Sequence, residues 1–148
     1  MKICCASSSG GHLTELLRLE KAFQGKSHYF VIDRRRGISQ LRAGEKAFFV
    51  ECPRRNALKL LKNFFQSIKI FFAENPDVVI STGADTAIPT CLIAKLFGKK
   101  IVFIESYCRI MEPSLSGKMM YPLADLFLVQ WEENKKFFPK AEFCGSVF

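Results

Sequence analysis

Met1-Lys2-Ile3-Cys4-Cys5-Ala6-Ser7-Ser8-Ser9-Gly10-Gly11-His12-Leu13-Thr14-Glu15-Leu16 opens the chain and decides its fold. Residues 2–6 are a short run of small and apolar side chains, the pattern of a buried strand. Two glycines follow a serine triplet, and from 13 to 23 the apolar residues recur at helical spacing. A strand passing through a glycine turn into a helix is the first half of a βαβ unit. The alternation then repeats along the chain. Strands are predicted at 29–32, 47–50, 78–80, 101–104 and 126–129, and helices at 58–74, 87–97, 116–123 and 132–138. The last three strands are apolar without alternation, as parallel strands covered on both faces are. Gly25 and Gly98 stand where helix C-caps belong. The expected architecture is α/β, a Rossmann-like parallel sheet flanked by helices, with residues 1–148 forming one domain.

The composition agrees with a folded domain that meets an anion. The chain has 148 residues, 49% of them hydrophobic and 24% charged, which excludes a disordered tail. Lys and Arg number 22 against 14 Asp and Glu, a net charge of +8, so a phosphate, a nucleic acid or an acidic membrane face is the expected partner class. At 16.8 kDa there is no room for both domains of a two-domain transferase or dehydrogenase. None of the six cysteines forms a C-x-x-C pair, so neither a zinc site nor any other metal is expected. Cys4, Cys5 and Cys91 sit in apolar runs and read as core residues of a reducing, cytoplasmic protein. Residues before Ser7 are too few for a signal peptide, and no apolar stretch approaches the ~20 residues of a membrane span.

Ligands of such sheets bind beyond the carboxyl ends of the strands. The segments leaving those ends are 7–12, 33–37, 52–55, 81–86 and 105–109, and they gather glycines, hydroxyls and the arginines Arg34, Arg35, Arg36, Arg54, Arg55 and Arg109 on one rim. Ser9-Gly10-Gly11-His12 could offer backbone N–H groups to a phosphate at a helix N-terminus, or could be a tight turn with Ser9 as cap. His12, in that position, suits a general base and equally a structural role. Thr82, Gly83 and Asp85 form a second small turn, read either as a ligand loop or as a helix start capped by Asp85 or Thr86. Glu105 ends an apolar strand, where a carboxylate needs a ligand hydroxyl or a partner such as Arg109. Asp33 closes the second strand where a dinucleotide fold keeps its ribose-binding acid. The fingerprint G-x-G-x-x-G nevertheless fails, since Ser8, Gly10 and Leu13 occupy its glycine positions, and no nicotinamide or other cofactor is expected.

Residues 58–72 carry apolar side chains within an arc of about 160° on a helical projection. Lys59, Lys62, Lys69, Asn63, Gln66 and Ser67 fall on the other side. The arc either packs on the sheet or, with Phe64, Phe65, Phe71 and Phe72 following Arg54 and Arg55, lies against an anionic membrane surface.

Several of these stretches together resemble a known family. Ser-Ser-Gly-Gly-His-Leu-Thr-Glu-Leu at 8–16, Ile-Ser-Thr-Gly-Ala-Asp at 80–85, Phe-Ile-Glu-Ser at 103–106, Ala-Asp-Leu-Phe at 124–127 and Val-Gln-Trp at 129–131 carry the likeness, with residues 118–121. The sequence is similar to the Alg14-like oligosaccharide biosynthesis family, in particular to its bacterial PssD/CpsF-type members of capsule and exopolysaccharide synthesis. The resemblance implies the N-terminal, acceptor-binding half of a GT-B glycosyltransferase, similar to that of MurG. A separate chain would then supply the nucleotide-sugar-binding half. It implies as acceptor a sugar on a lipid diphosphate, with no nucleic acid involved, at the cytoplasmic face of the plasma membrane. His12 would be the catalytic residue. Ser9, Gly10, Gly11, Thr82, Gly83, Asp85, Glu105 and Arg109 would line the acceptor site. Arg34, Arg35, Arg36, Arg54 and Arg55 would hold the diphosphate, and Phe143, Val147 and Phe148 would help dock the partner chain, unless 143 belongs to a last strand. The chain departs from the family in carrying Ser8 where a glycine is frequent, and no N-terminal anchor such as that of eukaryotic members is expected. A stand-alone nucleotide- or dinucleotide-binding module is the alternative that Asp33 and the glycine loop keep open.

Overall fold

A computed structural model describes residues 1–34 and 40–148. Among these residues seven strands form one parallel sheet: β1 (Lys2–Ser7), β2 (Ser27–Asp33), β3 (Ala47–Val50), β4 (Val78–Gly83), β5 (Lys100–Ile104), β6 (Leu126–Val129) and β7 (Glu142–Phe143). Their order across the sheet is β3-β2-β1-β4-β5-β6-β7. The order reverses between β1 and β4, which register Ile3 on Val78 and Cys5 on Ile80. That boundary is the switch point at which an open α/β sheet leaves a crevice.

Successive side chains point to opposite faces, so each strand feeds two cores. Ile3, Cys5, Phe30, Ile32, Ile80 and Ile104 pack under α1 (Gly11–Arg18) and α2 (Glu20–Phe23). Cys4, Tyr29, Val31, Val79, Ile101, Phe103 and Phe127 pack on the opposite face, against α3 (Ala57–Glu74), α4 (Ile88–Leu96) and α5 (Leu115–Met120). Double coverage explains the unbroken apolar strands. Burial pushes the Cys5 and Cys91 thiols up to about 12, which makes them inert core atoms.

Four expectations need correction. The helix predicted over 13–23 breaks at Leu19, whose N–H bonds the Leu16 carbonyl, and α2 then turns Phe23 into the core against Phe30. β4 continues past Ile80, because Ser81 still registers on Phe103 and Gly83 on Ser7. Thr82 and Gly83 are therefore strand, and only Ala84–Thr86 remain as turn. Residues 132–138 form a 3-10 turn at Glu132–Lys136.

The fourth correction concerns α3. Its buried line is Asn63, Ser67, Phe71 and Glu74, which lies roughly 100° from the middle of the apolar arc. Polar groups set this roll. Asn63 Nδ2 donates to the Glu51 carbonyl at 2.7 Å and to the buried Thr86 carbonyl at 3.1 Å. Ser67 Oγ donates to Asn63 Oδ1 at 2.9 Å and meets Thr90 Oγ1 on α4 at 3.1 Å. At the end of the line Glu74 is clamped by Lys2 and Lys46 at 2.7 and 2.6 Å. Asn63 and Ser67, expected outside, are in the core. Phe71, expected at a membrane, is buried at 4% exposure, and Phe64 is half-buried against the same core. The roll turns Leu58, Leu61, Phe65 and Phe72 to solvent, with Phe65 and Phe72 57% and 61% exposed.

Candidate functional site

A cleft of about 460 Å³ opens at the β1/β4 switch point. Gly11, His12 and Glu15 of α1 form one wall, and Ala84 and Asp85 after β4 form the floor. Ser106, Cys108 and Arg109 after β5, with Ser114, Leu115 and Ser116 at the start of α5, complete it.

His12 is fixed by a reciprocal pair of bonds. Its Nδ1 lies 2.9 Å from the Thr82 carbonyl, and the Thr82 hydroxyl donates to the His12 carbonyl at 2.7 Å. A carbonyl only accepts, so Nδ1 carries the proton in the neutral ring and Nε2 holds the lone pair. That tautomer can receive a proton from a bound hydroxyl. β4 thus locks the ring through its own last residues, which is why Thr82 is buried behind the cleft instead of lining it.

The glycine loop is organised differently from a phosphate cradle. Asp33 accepts from the Ser9 N–H at 3.0 Å and from the Ser9 hydroxyl at 2.6 Å, and Gln40 Oε1 takes the Gly10 N–H at 2.8 Å. Ser9 is therefore not the helix cap; Gly10 is the cap residue, at φ 97°. Two N–H groups expected to meet a ligand are spent on the protein itself. Gly11 and His12 begin the helix, where N–H groups have no intrahelical acceptor. The same bonds bury Asp33 at 1% exposure and commit it to Ser9, which removes it as a ribose acid.

Asp85 lines the cleft, yet it caps nothing: α4 has no side-chain cap, and Asp85 Oδ2 accepts the Arg54 N–H at 2.8 Å. Arg54 and Arg55 both adopt positive φ, at 46° and 61°, as does Ala84 at 73°. Left-handed conformations on residues with a Cβ concentrate here, beside the cleft mouth. Arg109 pairs with Glu112 at 3.2 Å rather than with Glu105. Glu105 is buried instead, its Oε1 accepting from the Ser106 N–H at 2.9 Å, while its Oε2 has no bonding partner among the described residues. Gly117 makes room for it, since a Cβ there would stand 2.9 Å from the Glu105 carboxyl carbon.

The basic rim divides. Arg34 lies over the Phe49 ring in a separate cavity of about 390 Å³ by β3, and Arg35 and Arg36 fall outside the described residues. Arg55 borders an apolar groove of about 400 Å³ walled by Leu60, Phe64, Ile88, Leu92, Leu115 and Met119. Asp85, Ile88 and Leu115 line both groove and cleft, so the two are contiguous. Phe143 sits exposed on edge strand β7. Val147 and Phe148 fold back, the Val147 N–H onto Gln130 Oε1 at 3.1 Å and the Phe148 ring onto Tyr107 and Arg18. Among the described residues no cluster of three potential metal ligands occurs, and no helix is long and apolar enough to cross a membrane.

The family described as "Oligosaccharide biosynthesis protein Alg14 like" matches residues 51–147. The chain belongs to the Alg14-like family. Relatives include UDP-N-acetylglucosamine transferase subunit ALG14 of Homo sapiens, 29% identical over 99% of this chain and 83% of that protein. The subunit of the same name from Schizosaccharomyces pombe is 30% identical over 94% of this chain and 80% of its own length. Among solved structures, Acinetobacter baumannii MurG superposes with a TM-score of 0.78 at 18% identity, covering 99% of this chain and 46% of MurG. UDP-N-acetylglucosamine 2-epimerase from Rickettsia bellii gives 0.80 at 14% identity, covering 99% and 45%. The Alg14-like chain thus spans about half the length of these structures, and it shares with them the Rossmann-like half of the GT-B fold.

Sequence reasoning missed the wall that Ser106, Ser114 and Ser116 build and the buried group behind it. In this Alg14-like chain Glu15 is 3% exposed, its Oε1 bonded by the Ser106 hydroxyl at 2.9 Å and its Oε2 by Gln130 Nε2 at 3.2 Å. Burial raises its carboxyl above the ordinary glutamate value, against the pull of the Ser106 hydroxyl and the nearby His12. The available signal was a glutamate three residues past the only histidine of the loop, directly before the buried Leu16.

Proposed function

We propose that this chain is the acceptor-binding, membrane-associating subunit of a two-component glycosyltransferase that moves a sugar from a nucleotide sugar to a lipid-diphosphate-linked sugar in bacterial polysaccharide synthesis. The observation that carries the reading is the His12–Thr82 bond, which presents an unprotonated Nε2 to a cleft running on into an apolar groove. A sugar hydroxyl fits the cleft, and the start of a lipid chain fits the groove. Arg54 and Arg55 stand at the junction, where a diphosphate would lie. The exposed stripe of α3, flanked by Lys62 and Lys69, suits the plane of an anionic bilayer.

In the transfer, the acceptor oxygen attacks the anomeric carbon of the donor, and the bond to the diphosphate breaks with its electron pair leaving on the nucleotide. The hydroxyl proton passes to His12 Nε2. Inversion at the anomeric carbon follows from a single displacement. The donor half comes from a second chain, docked where Phe143, Val147 and Phe148 end the sheet. The relatives are named for UDP-N-acetylglucosamine transfer, so that donor is tried first.

The test is transfer of radiolabelled N-acetylglucosamine to a prenyl-diphosphate sugar in membranes, with this chain alone, with its candidate partner, and with the partner plus His12→Ala. Product only when both chains are present supports the split enzyme, and its loss in His12→Ala supports the base. A chain that neither binds the partner nor alters its activity overturns the proposal.

A further inference from the structure

Glu15 is a buried carboxyl with no cation beside it among the described residues. Among those residues it makes no ion pair; the donors that meet its carboxyl, the Ser106 hydroxyl, Gln130 Nε2 and the Tyr107 backbone N–H, are all neutral. An ionised carboxylate removed from water normally finds a lysine, an arginine or a metal, because neutral hydrogen bonds alone do not fully replace its hydration. The chain goes to some length to keep it there. Gln130, itself 3% exposed, is oriented unambiguously: Oε1 accepts the Val147 N–H, and Nε2 donates to Glu15 Oε2 and to the Glu105 carbonyl at 3.0 Å. Ser106 is held from the other side, its N–H on Glu105 Oε1.

One group in the cleft can become cationic next to Glu15. His12 sits three residues earlier on α1, where side chains stand about 5–6 Å apart at Cβ, and both line the same cleft. We infer that Glu15 is a positioning residue for transfer: a buried carboxylate that stabilises the His12 ring in its protonated form as Nε2 takes the acceptor's proton. The inference rests on His12 being the base. The Nδ1 side of the ring is occupied by the Thr82 carbonyl, which orients the imidazole but carries no charge. Glu15 supplies the missing charge from the neighbouring turn. The proton and charge balance closes within the pair: before transfer Glu15 is the anion and His12 is neutral; after it they form an ion pair, and the proton later leaves to water.

The other titratable groups facing His12 are otherwise engaged or differently placed. Asp85, from the β4–α4 turn, holds the Arg54 N–H; Arg109, after β5, is paired with Glu112; Cys108 is exposed. The start of α5 contributes Ser114, Leu115 and Ser116, which do not titrate. Glu105 lies behind Ser106 and faces Gly117.

The experiment has two independent readouts. On this chain alone, NMR follows the His12 ring and the Glu15 carboxyl carbon against pH. In the unmodified chain the Glu15 resonance responds at the His12 midpoint, and in Glu15→Gln the His12 midpoint moves to lower pH. With the partner present, Glu15→Gln lowers transfer about tenfold near neutral pH and shifts the acid limb of the rate profile to lower pH by about one unit, with acceptor KM unchanged. Glu15→Asp, which keeps the charge, recovers part of the rate. A merely structural Glu15 would lower the rate without moving the limb. Absence of cross-titration in the unmodified chain overturns the inference even where the variant fails to fold. An unchanged His12 midpoint in a folded Glu15→Gln also overturns it. Full activity in His12→Ala is a different failure, that of the base reading itself.

Discussion

Replacing Asn63 by leucine is the sharpest test of how α3 is seated. On a binary pattern the change looks favourable, since it extends an apolar arc and would return about 2 kcal/mol if the new side chain is buried. The structure gives the opposite sign. Asn63 is fully buried and uses both ends of its amide: Nδ2 serves the carbonyls of Glu51 and Thr86, and Oδ1 accepts from Ser67. Leucine takes a partner from three polar groups at once. The Thr86 carbonyl, on a buried residue, costs about 1–3 kcal/mol, while the Ser67 hydroxyl, which keeps Thr90 Oγ1, and the half-buried Glu51 carbonyl add about 1 kcal/mol each. The net loss after the apolar gain is about 2 kcal/mol, which for a chain of this size lowers Tm by about 6 °C. Thermal melting followed by circular dichroism measures it, with Phe65→Ser as the companion. Phe65 stands on the solvent side of the same helix, so making it polar changes stability by no more than about 0.5 kcal/mol. An Asn63→Leu chain that melts at or above the unmodified temperature would refute the roll of α3, and with it the claim that the phenylalanine stripe faces outward.

The paired change Phe65→Ser and Phe72→Ser removes two rings that each expose roughly 100 Å², worth about 2.5 kcal/mol apiece on full insertion. Half-insertion of both predicts a loss of roughly 60-fold in partition to anionic vesicles, read by flotation, and equal binding by the two forms counts against the membrane face. Gly117→Ala drives a methyl into the Glu105 carboxylate, which the Ser106 N–H holds, and against the Ser114 hydroxyl. We expect a loss of about 1–3 kcal/mol in urea unfolding, and a variant as stable as the parent would show that Glu105 has room to move. Lys2 and Lys46 hold the Glu74 carboxyl below its ordinary range. Its folded value is depressed, so this contribution is present above about pH 4.5 and is lost as the pH falls below it. Stability measured against pH should therefore lose part of its acid slope in Glu74→Gln; an unchanged slope would mean that the clamp contributes nothing.

The sheet was legible because its strands obey local rules. β3 and β6 match their predicted spans, and β1, β2, β4 and β5 differ only at their ends, where pairing continues through residues such as Ser81 and Thr82 that have no apolar signature; the two-residue β7 was not among the predicted strands. The cleft was legible in outline, since topology alone brings the ends of β1 and β4 together and places His12, Gly11 and Asp85 on it. What could not be read was partner choice. Nothing in the composition says that Asp33 closes on Ser9, that Arg109 turns to Glu112, or that Asn63 prefers two carbonyls to water. Each choice depends on a contact between residues at least three and mostly more than ten positions apart, and hydrogen-bonding residues carry no period that would reveal it.

The departures from local consistency are not scattered. Natural sequences set propensity, pattern and burial in agreement, and the exceptions mark where something other than stability was selected. Here the exceptions are an apolar stripe turned to solvent on α3, left-handed Arg54, Arg55 and Ala84, an open apolar groove, and the carboxylates of Glu15 and Glu105, buried without a cation among the described residues. Arg54 is tied to Asp85, Arg55 and Asp85 line the groove, Asp85 and Ala84 line the cleft, and Glu15 and the Glu105–Ser106 pair close its back wall. Apart from the stripe, they follow one tract from the groove beside Leu60 and Phe64 of α3 to His12. The cost of Glu15 follows the same logic. Its folded carboxyl titrates above the unfolded one, so the native state loses stability as the pH rises past the ordinary glutamate range. Glu15→Gln should therefore be the more stable protein at neutral pH and the poorer transferase, because a glutamine amide can still bond Ser106 and Gln130 but cannot meet a charge on His12. A gain in stability paired with a loss of rate would separate a role in the proposed reaction from a role in packing.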